Sequence, residues 1–308
     1  MNTFEKAKEA ILGRLEEAEE EGRPFHWVKP WEGGSPWACN HTKPGTPYRG
    51  INALILGPGE YLTFNQFKKL QEADPGIKMK KGSKGKPLFF FTYKESKRRD
   101  DADGEETEPS ALRRRPVFKR YTVFDLSCFE GIKAHYGYTP RRHSLDESLH
   151  GALLDCACYA ESAGIGLSSV PGSGRAYYSP LESSVVVPDI EQFESKHEYF
   201  STLFHELVHS TAGILGRKGG ASWGDEGYAK EELVAEIGAS MLCAHYRIDD
   251  DSTAENSIAY IRSWKGTLKS LGASDVVYAA NQAQKACDLI VGKAPCDAGS
   301  DEGDRRAA

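Results

Sequence analysis

The strongest constraint on this chain is the pairing of His205-Glu206-Leu207-Val208-His209 with Glu232-Leu233-Val234-Ala235-Glu236, which begins 23 residues after the second histidine. On a helix, residues four apart share a face, so His205 and His209 present their imidazoles together, with Glu206 turned about 100° from His205. Glu232 and Glu236 lie one turn apart amid Leu233, Val234, Ile237, Ala239, Met241 and Leu242. Carboxylates beside a buried apolar stripe are costly without a positive partner. A fold for this chain must therefore lay the second helix against the first and bring acids to imidazoles.

This donor set suits a divalent metal with an open coordination position, because two histidines and one glutamate hold the ion while another glutamate stands beside its water. The expected ligands are His205, His209 and Glu232 around Zn2+, exchangeable with Mn2+, and Glu206 is the expected catalytic base. Glu236 is the expected acceptor for the remaining ring N–H of a ligating imidazole, an arrangement that fixes the tautomer. The helical register leaves Glu231 open as an alternative third ligand. An oxyanion formed in peptide hydrolysis needs a further donor; Tyr228, His245 and His197 are the candidates, and sequence does not choose among them.

The front of the chain carries a different chemistry. Net charge is −6 overall, yet from His41 to Arg99 there are 13 Lys/Arg against four acids. Aromatic residues are interleaved with those charges, and a cationic groove lined by ring faces binds single strands of any sequence. Trp37 and Tyr48, in Pro/Gly/Asn-rich loops, are expected to be exposed. Arg49, Lys80, Lys81, Lys84 and Lys86 are the expected phosphate contacts, since the neighbouring glycines let a strand approach closely. Phe64 and Phe67 are expected to pack a helix against a sheet, and Phe89, Phe91 and Tyr93 to alternate along a strand.

Length favours two domains over one core. Expected elements are a helix over 3–21, a strand over 51–56, a helix over 63–73, and strands over 87–93 and 117–124 flanking a polar hairpin loop expected to be disordered at its tip. A boundary at 131–147 separates a domain over 1–135 from one over 147–292, and 293–308 is expected to be a disordered acidic tail. The second half is expected to contain helices over 149–162, 190–212, 230–244, 256–271 and 275–291, with short strands at 177–180 and 184–188. No hydrophobic run reaches membrane-spanning length and the first twenty residues are not a signal peptide, so a cytoplasmic protein with reduced thiols is expected. Cys128, Cys156, Cys158, Cys243 and Cys287 are expected to be buried. Cys39 is the cysteine best placed for a ligand, but only His41 is near it in sequence, so no second metal site is expected there.

The run Tyr228-Ala229-Lys230-Glu231-Glu232-Leu233-Val234-Ala235-Glu236-Ile237 resembles the C-terminal domain of ArdC-like plasmid antirestriction proteins and the zincin metallopeptidases of the polyvalent-protein group. Tyr48-Arg49-Gly50-Ile51-Asn52-Ala53-Leu54-Ile55-Leu56, Thr63-Phe64-Asn65-Gln66-Phe67, Lys80-Lys81-Gly82-Ser83-Lys84-Gly85 and Tyr121-Thr122-Val123-Phe124-Asp125 resemble the same family's N-terminal domain. The matches run to about residue 292; a charged insertion at 97–115 and the Gly/Asp-rich tail depart from the pattern. The resemblance implies an α+β protein of two domains: a small N-terminal single-stranded-DNA-binding domain and a C-terminal zincin-like domain. It also implies protection of incoming mobile DNA, as in conjugation, and makes strand 185–187 either the rim of a peptide cleft or an internal strand packed by its valines.

Three functions fit these features. The first is a single-strand binder joined to a zinc peptidase of unknown protein or peptide substrate. The second is a DNA binder whose metal is structural. The third is a peptidase whose front domain recognises protein. The basic-aromatic block disfavours the third, and Glu206, which a structural site does not need, favours the first.

Overall fold

A computed structural model describes residues 2–20, 38–96, 113–135, 145–217, 226–248 and 264–292. The insertion tip, the acidic tail, Trp37 and part of the 131–147 boundary lie outside these residues.

The N-terminal half begins with α1 (Thr3–Glu20), which buries Ala7, Ile11 and Leu15. Its sheet has the order β1-β2-β5-β4, from β1 (Ala38–Asn40), β2 (Gly59–Thr63), β4 (Lys86–Ser96) and β5 (Arg113–Asp125). The β4–β5 hairpin pairs from Lys86↔Val123 to Ser96↔Arg113, bracketing the insertion. A smaller pair joins β3 (Lys78–Met79) to β6 (Phe129–Glu130). Helix α3 (Phe64–Ala73) starts at a reciprocal cap in which Thr63 accepts from Gln66 N–H and Gln66 accepts from Thr63 N–H.

Residues 51–56 depart from the expected strand: Ile51–Ile55 form a short helix, α2. A short apolar run cannot distinguish a strand from a helix buried on all sides. Here tertiary partners decide, because Asn52 hydrogen-bonds both the N–H and the C=O of Phe89. The half-buried Arg14 guanidinium donates to the carbonyls of Ala53 and Leu54, and desolvation lowers its pKa to about 10. Phe67 packs inward as expected, but Phe64 is 47% exposed, with the Lys68 ammonium 5.7 Å from its ring centroid.

In the C-terminal half, α4 (Leu145–Ala163) leads to a sheet of order β7-β9-β8, made by β7 (Gly166–Val170), β8 (Tyr177–Ser179) and β9 (Ser184–Pro188). Strand β9 is central, with Val185 and Val187 buried. The internal-strand alternative therefore holds, and the sheet edges belong to β7 and β8. The expected helix over 190–212 divides into a turn at Ile190–Gln192 and helix α5 (Lys196–Ser210). Two successive N-caps cause the break: Asp189 accepts from Glu191 N–H, and Ser195 accepts from Glu198 N–H. Helix α6 (Glu226–Tyr246) follows, then α7, of which 264–270 are described, and α8 (Ala273–Ile290).

The buried apolar side chains of both halves form one continuous cluster, because α8 packs on α1 and α2 as well as on α6. Lys8 donates to the carbonyl of Leu271 at 2.6 Å, and Lys265 pairs with Glu19 at 2.7 Å across the same junction. A fragment ending at residue 135 would uncover this face of α1. Leu62, Phe67, Ile77 and Phe129 make a separate small cluster beneath α3. Cys156, Cys243 and Cys287 are buried as expected; Cys128 is half-buried against the small cluster, and Cys158 is exposed. Among the described residues, no helix is long and apolar enough to cross a membrane.

Helices α5 and α6 approach each other at Gly238, where an added Cβ would lie 2.7 Å from Cγ2 of the buried Val208. Val208 is β-branched and enclosed, so it cannot swing aside without strain. Gly238→Ala is therefore expected to destabilise the chain by about 1–3 kcal/mol in urea denaturation. An unchanged midpoint would show that the helix contact has slack.

Candidate metal centre

The α5–α6 contact places the sequence-predicted groups together. His205 Nε2 and His209 Nε2 are 3.1 Å apart. Glu232 spans both, with Oε2 3.6 Å from His205 Nε2 and Oε1 3.5 Å from His209 Nε2. For bonds of 2.0–2.1 Å, neighbouring ligand atoms of a tetrahedral zinc site stand about 3.3 Å apart. The three donors therefore form a cradle of the right size for a divalent ion.

The opposite ring nitrogens determine which atom faces that cradle. His209 Nδ1 is 3.4 Å from Glu231 Oε1, and His205 Nδ1 is 3.8 Å from Glu236 Oε1. A carboxylate at Nδ1 favours a proton there and leaves the Nε2 lone pair for a metal. Glu231, which sequence leaves open as a ligand, thus faces the back of His209, while Glu232 faces the cradle. Glu236 stands behind His205, as expected, at a longer distance than a direct hydrogen bond.

Glu231 is itself held by Arg217, a residue absent from the expected site. Arg217 Nε and Nη2 contact the two oxygens of Glu231 at 3.0 and 2.8 Å. The same guanidinium donates to the carbonyl of Val208 and to Thr211 Oγ1, both at 2.8 Å, at the C-terminal end of α5. A cation there also complements the helix dipole. Arg217 thereby fastens the histidine helix to α6. Nothing local in its sequence marks it, since it lies in a turn and acts on residues distant in the chain.

Electrostatics follow from these contacts. Burial lowers the His205 pKa, but Glu232, Glu236 and Glu206 outweigh it and the net shift is upward. Burial raises that of Glu231, yet His209 and Arg217 bring it below the ordinary value. Glu232 is lowered chiefly by its contact with His205. Glu206 is half-buried on the turn after His205 and contributes to the potential at both His205 and Tyr228. Tyr228 lies one helical turn before Glu232 on α6, and its pKa is raised by desolvation and by Glu232 and Glu206. His197 lies two helical turns before His205, and His245 contacts Tyr246 near the far end of α6. Of the three oxyanion candidates, Tyr228 is the one on the same face of α6 as Glu232, one turn away.

The N-terminal candidates are distributed less uniformly. Lys80, Lys81 and Lys84 are exposed around the turn after β3. Lys86 is exposed too, but its ammonium lies 5.9 Å from the Tyr61 ring centroid, where desolvation, with Arg14 nearby, lowers its pKa. Tyr48 is half-buried, its ring edge-on to Tyr61. Arg49 pairs with the buried Asp288 of α8, a contact that ties the two halves together. The exposed Phe64 with Lys68 is a ring-and-cation pair that sequence analysis assigns to packing.

The helix pair, its two histidines and its following glutamate define a zincin-like metallopeptidase domain, and residues 160–282 match that family's description. Residues 5–124 match the N-terminal domain of anti-restriction factor ArdC. The metal-free crystal structure of antirestriction protein ArdC from the R388 plasmid shares 30% identity, covering 94% of this chain and 97% of that one with a TM-score of 0.63. Its Mn(II)-bound structure matches at 27% identity over the same shares, with a TM-score of 0.61. This chain belongs to the ArdC antirestriction family. It is also 29% identical over 314 residues to a DNA primase TraC of Escherichia coli, spanning 91% of this chain but 21% of the primase. A second TraC primase of Escherichia coli is matched over 25% of its length.

Proposed function

We propose that this protein binds single-stranded DNA through its N-terminal half and carries a divalent-metal peptidase-type centre on α5 and α6, protecting incoming mobile DNA from restriction. The observation that carries this reading is the convergence of His205 Nε2, His209 Nε2 and Glu232 beside Glu206. His205, His209 and Glu232 would hold Zn2+ or Mn2+; the bound ion supplies Lewis acidity to a water and to the scissile carbonyl. Glu206 takes the proton of the attacking water and delivers it to the leaving amine. The Tyr228 hydroxyl is the donor for the developing oxyanion. Glu231 and Glu236 keep the two imidazoles in the tautomer that leaves Nε2 available. A site of purely structural metal has no use for Glu206, which keeps the peptidase reading ahead.

For DNA, the exposed Lys80, Lys81 and Lys84, together with the Phe64 ring, supply phosphate contacts and a stacking surface. In fluorescence anisotropy, the full chain is expected to bind single strands more tightly than duplex. Replacing the three lysines with glutamine is expected to flatten the logarithmic salt dependence by up to about two, at roughly 0.7 per phosphate contact. An unchanged salt slope would remove these lysines from the interface.

A further inference from the structure

The N-terminal half contains a second group of metal-ligating side chains, away from the α5–α6 centre. His41 and Glu60 are both buried, at 7% and 3% exposure, and His41 Nδ1 lies 2.6 Å from Glu60 Oε2. His135 stacks on His41 with ring centroids 4.4 Å apart and planes inclined by 28°. One donor atom from each of the three lies within 4.8 Å of the others. In the sequence His41 has only Cys39 beside it; the sheet and the chain beyond β6 bring the other two donors.

We propose that His41, Glu60 and His135 form a second divalent-cation site, one that clips the chain beyond β6 onto the β1–β2 edge. Its position follows from the backbone: His41 N–H donates to the Tyr61 carbonyl, which keeps His41 against β2 beside Glu60. A buried carboxylate and imidazole are costly to desolvate, and a cation shared between them offsets that cost more completely than one proton does. His135 stacks on the His41 ring and completes a set of two nitrogens and one oxygen. Such a borderline set suits Zn2+ or Co2+ better than Mg2+ or Ca2+, which take all-oxygen shells. Neighbouring ligand atoms of a zinc site stand about 3.3 Å apart, so on binding His41 Nδ1 and Glu60 Oε2, now at hydrogen-bond distance, have to part while His135 closes. His135, being exposed, can close by side-chain rotation. The ligands come from three separate segments, so binding stabilises the fold by closing long loops.

The test uses the full chain with the other centre disabled. His209→Ala protein, dialysed against Zn2+ and then against metal-free buffer, is expected to retain about one equivalent by elemental analysis, and His209→Ala/His135→Ala about none. Co2+ titration of His209→Ala is expected to give a visible d–d band that disappears in the double variant. Because His135 is exposed, its replacement leaves the core intact; equal far-ultraviolet circular dichroism of the two proteins checks this. Zn2+ is also expected to raise the Tm of His209→Ala and not that of the double variant. Equal metal content and equal cobalt spectra in the two folded proteins would overturn the site.

Discussion

His209→Ala is expected to reduce the affinity of the α5–α6 centre for Zn2+ by at least a hundredfold, while Glu206→Gln leaves it unchanged. Structural zinc sites of four ligands release about 10–16 kcal/mol on binding, which assigns roughly 3–4 kcal/mol to each ligand. At 1.4 kcal/mol per decade, losing one ligand costs about two to three decades of affinity. His209 has no substitute, since Glu231 faces its Nδ1 side and is engaged by Arg217. Glu206 contributes no donor to the cradle, and an amide of nearly equal size preserves the helix. Competitive titration with a chromophoric chelator measures both affinities, read in the His135→Ala background so that a single centre is titrated. A parallel loss in the two variants would make Glu206 a ligand and remove it as the base.

The same Glu206→Gln protein separates the two routes to antirestriction in cells. Occupancy of DNA needs no proton transfer, so protection is expected to survive the substitution at matched protein levels. If protection disappears while metal content and strand affinity stay intact, the peptidase is the effector.

Arg217→Met is expected to destabilise the chain by about 3–5 kcal/mol, because it leaves the Glu231 carboxylate buried without its cation. The Arg217 side chain is 1% exposed and that of Glu231 12%, so water cannot replace the lost partner. The substitution also removes donors from the carbonyl of Val208 and from Thr211, loosening the end of α5 one residue from His209. Adding Glu231→Gln exchanges the stranded charge for a neutral amide, so the double variant is expected to recover part of the loss. Metal affinity is expected to fall about 10- to 100-fold in the double variant, which alone loses the carboxylate behind His209. A single variant as stable as the parent would show that the Arg217–Glu231 contact forms without energetic consequence.

Periodicity determined much of this protein. His205, His209, Glu232 and Glu236 are readable because helical spacing alone assigns them to faces, and the expected helices over 3–21, 63–73 and 275–291 reappear within a few residues of their expected limits. Capping chemistry was also legible in principle: Asp189 and Ser195 are ordinary cap residues, and they divide a helix that apolar periodicity alone would run together. What sequence left undecided depended on neighbours. Residues 51–55 are a helix because Arg14 and Asn52 satisfy backbone groups across the fold, and apolar letters carry no record of those partners. Charge alone makes Arg49 an expected phosphate contact, whereas α8 places Asp288 against it. The division of labour between Glu231 and Glu232 required the α5–α6 crossing at Gly238, and the role of Arg217 required the turn after α5. His135 meets His41 and Glu60 through the sheet and the path beyond β6. Local spacing fixes which side chains share a helix face, but only closure of the chain in three dimensions decides which distant side chains meet.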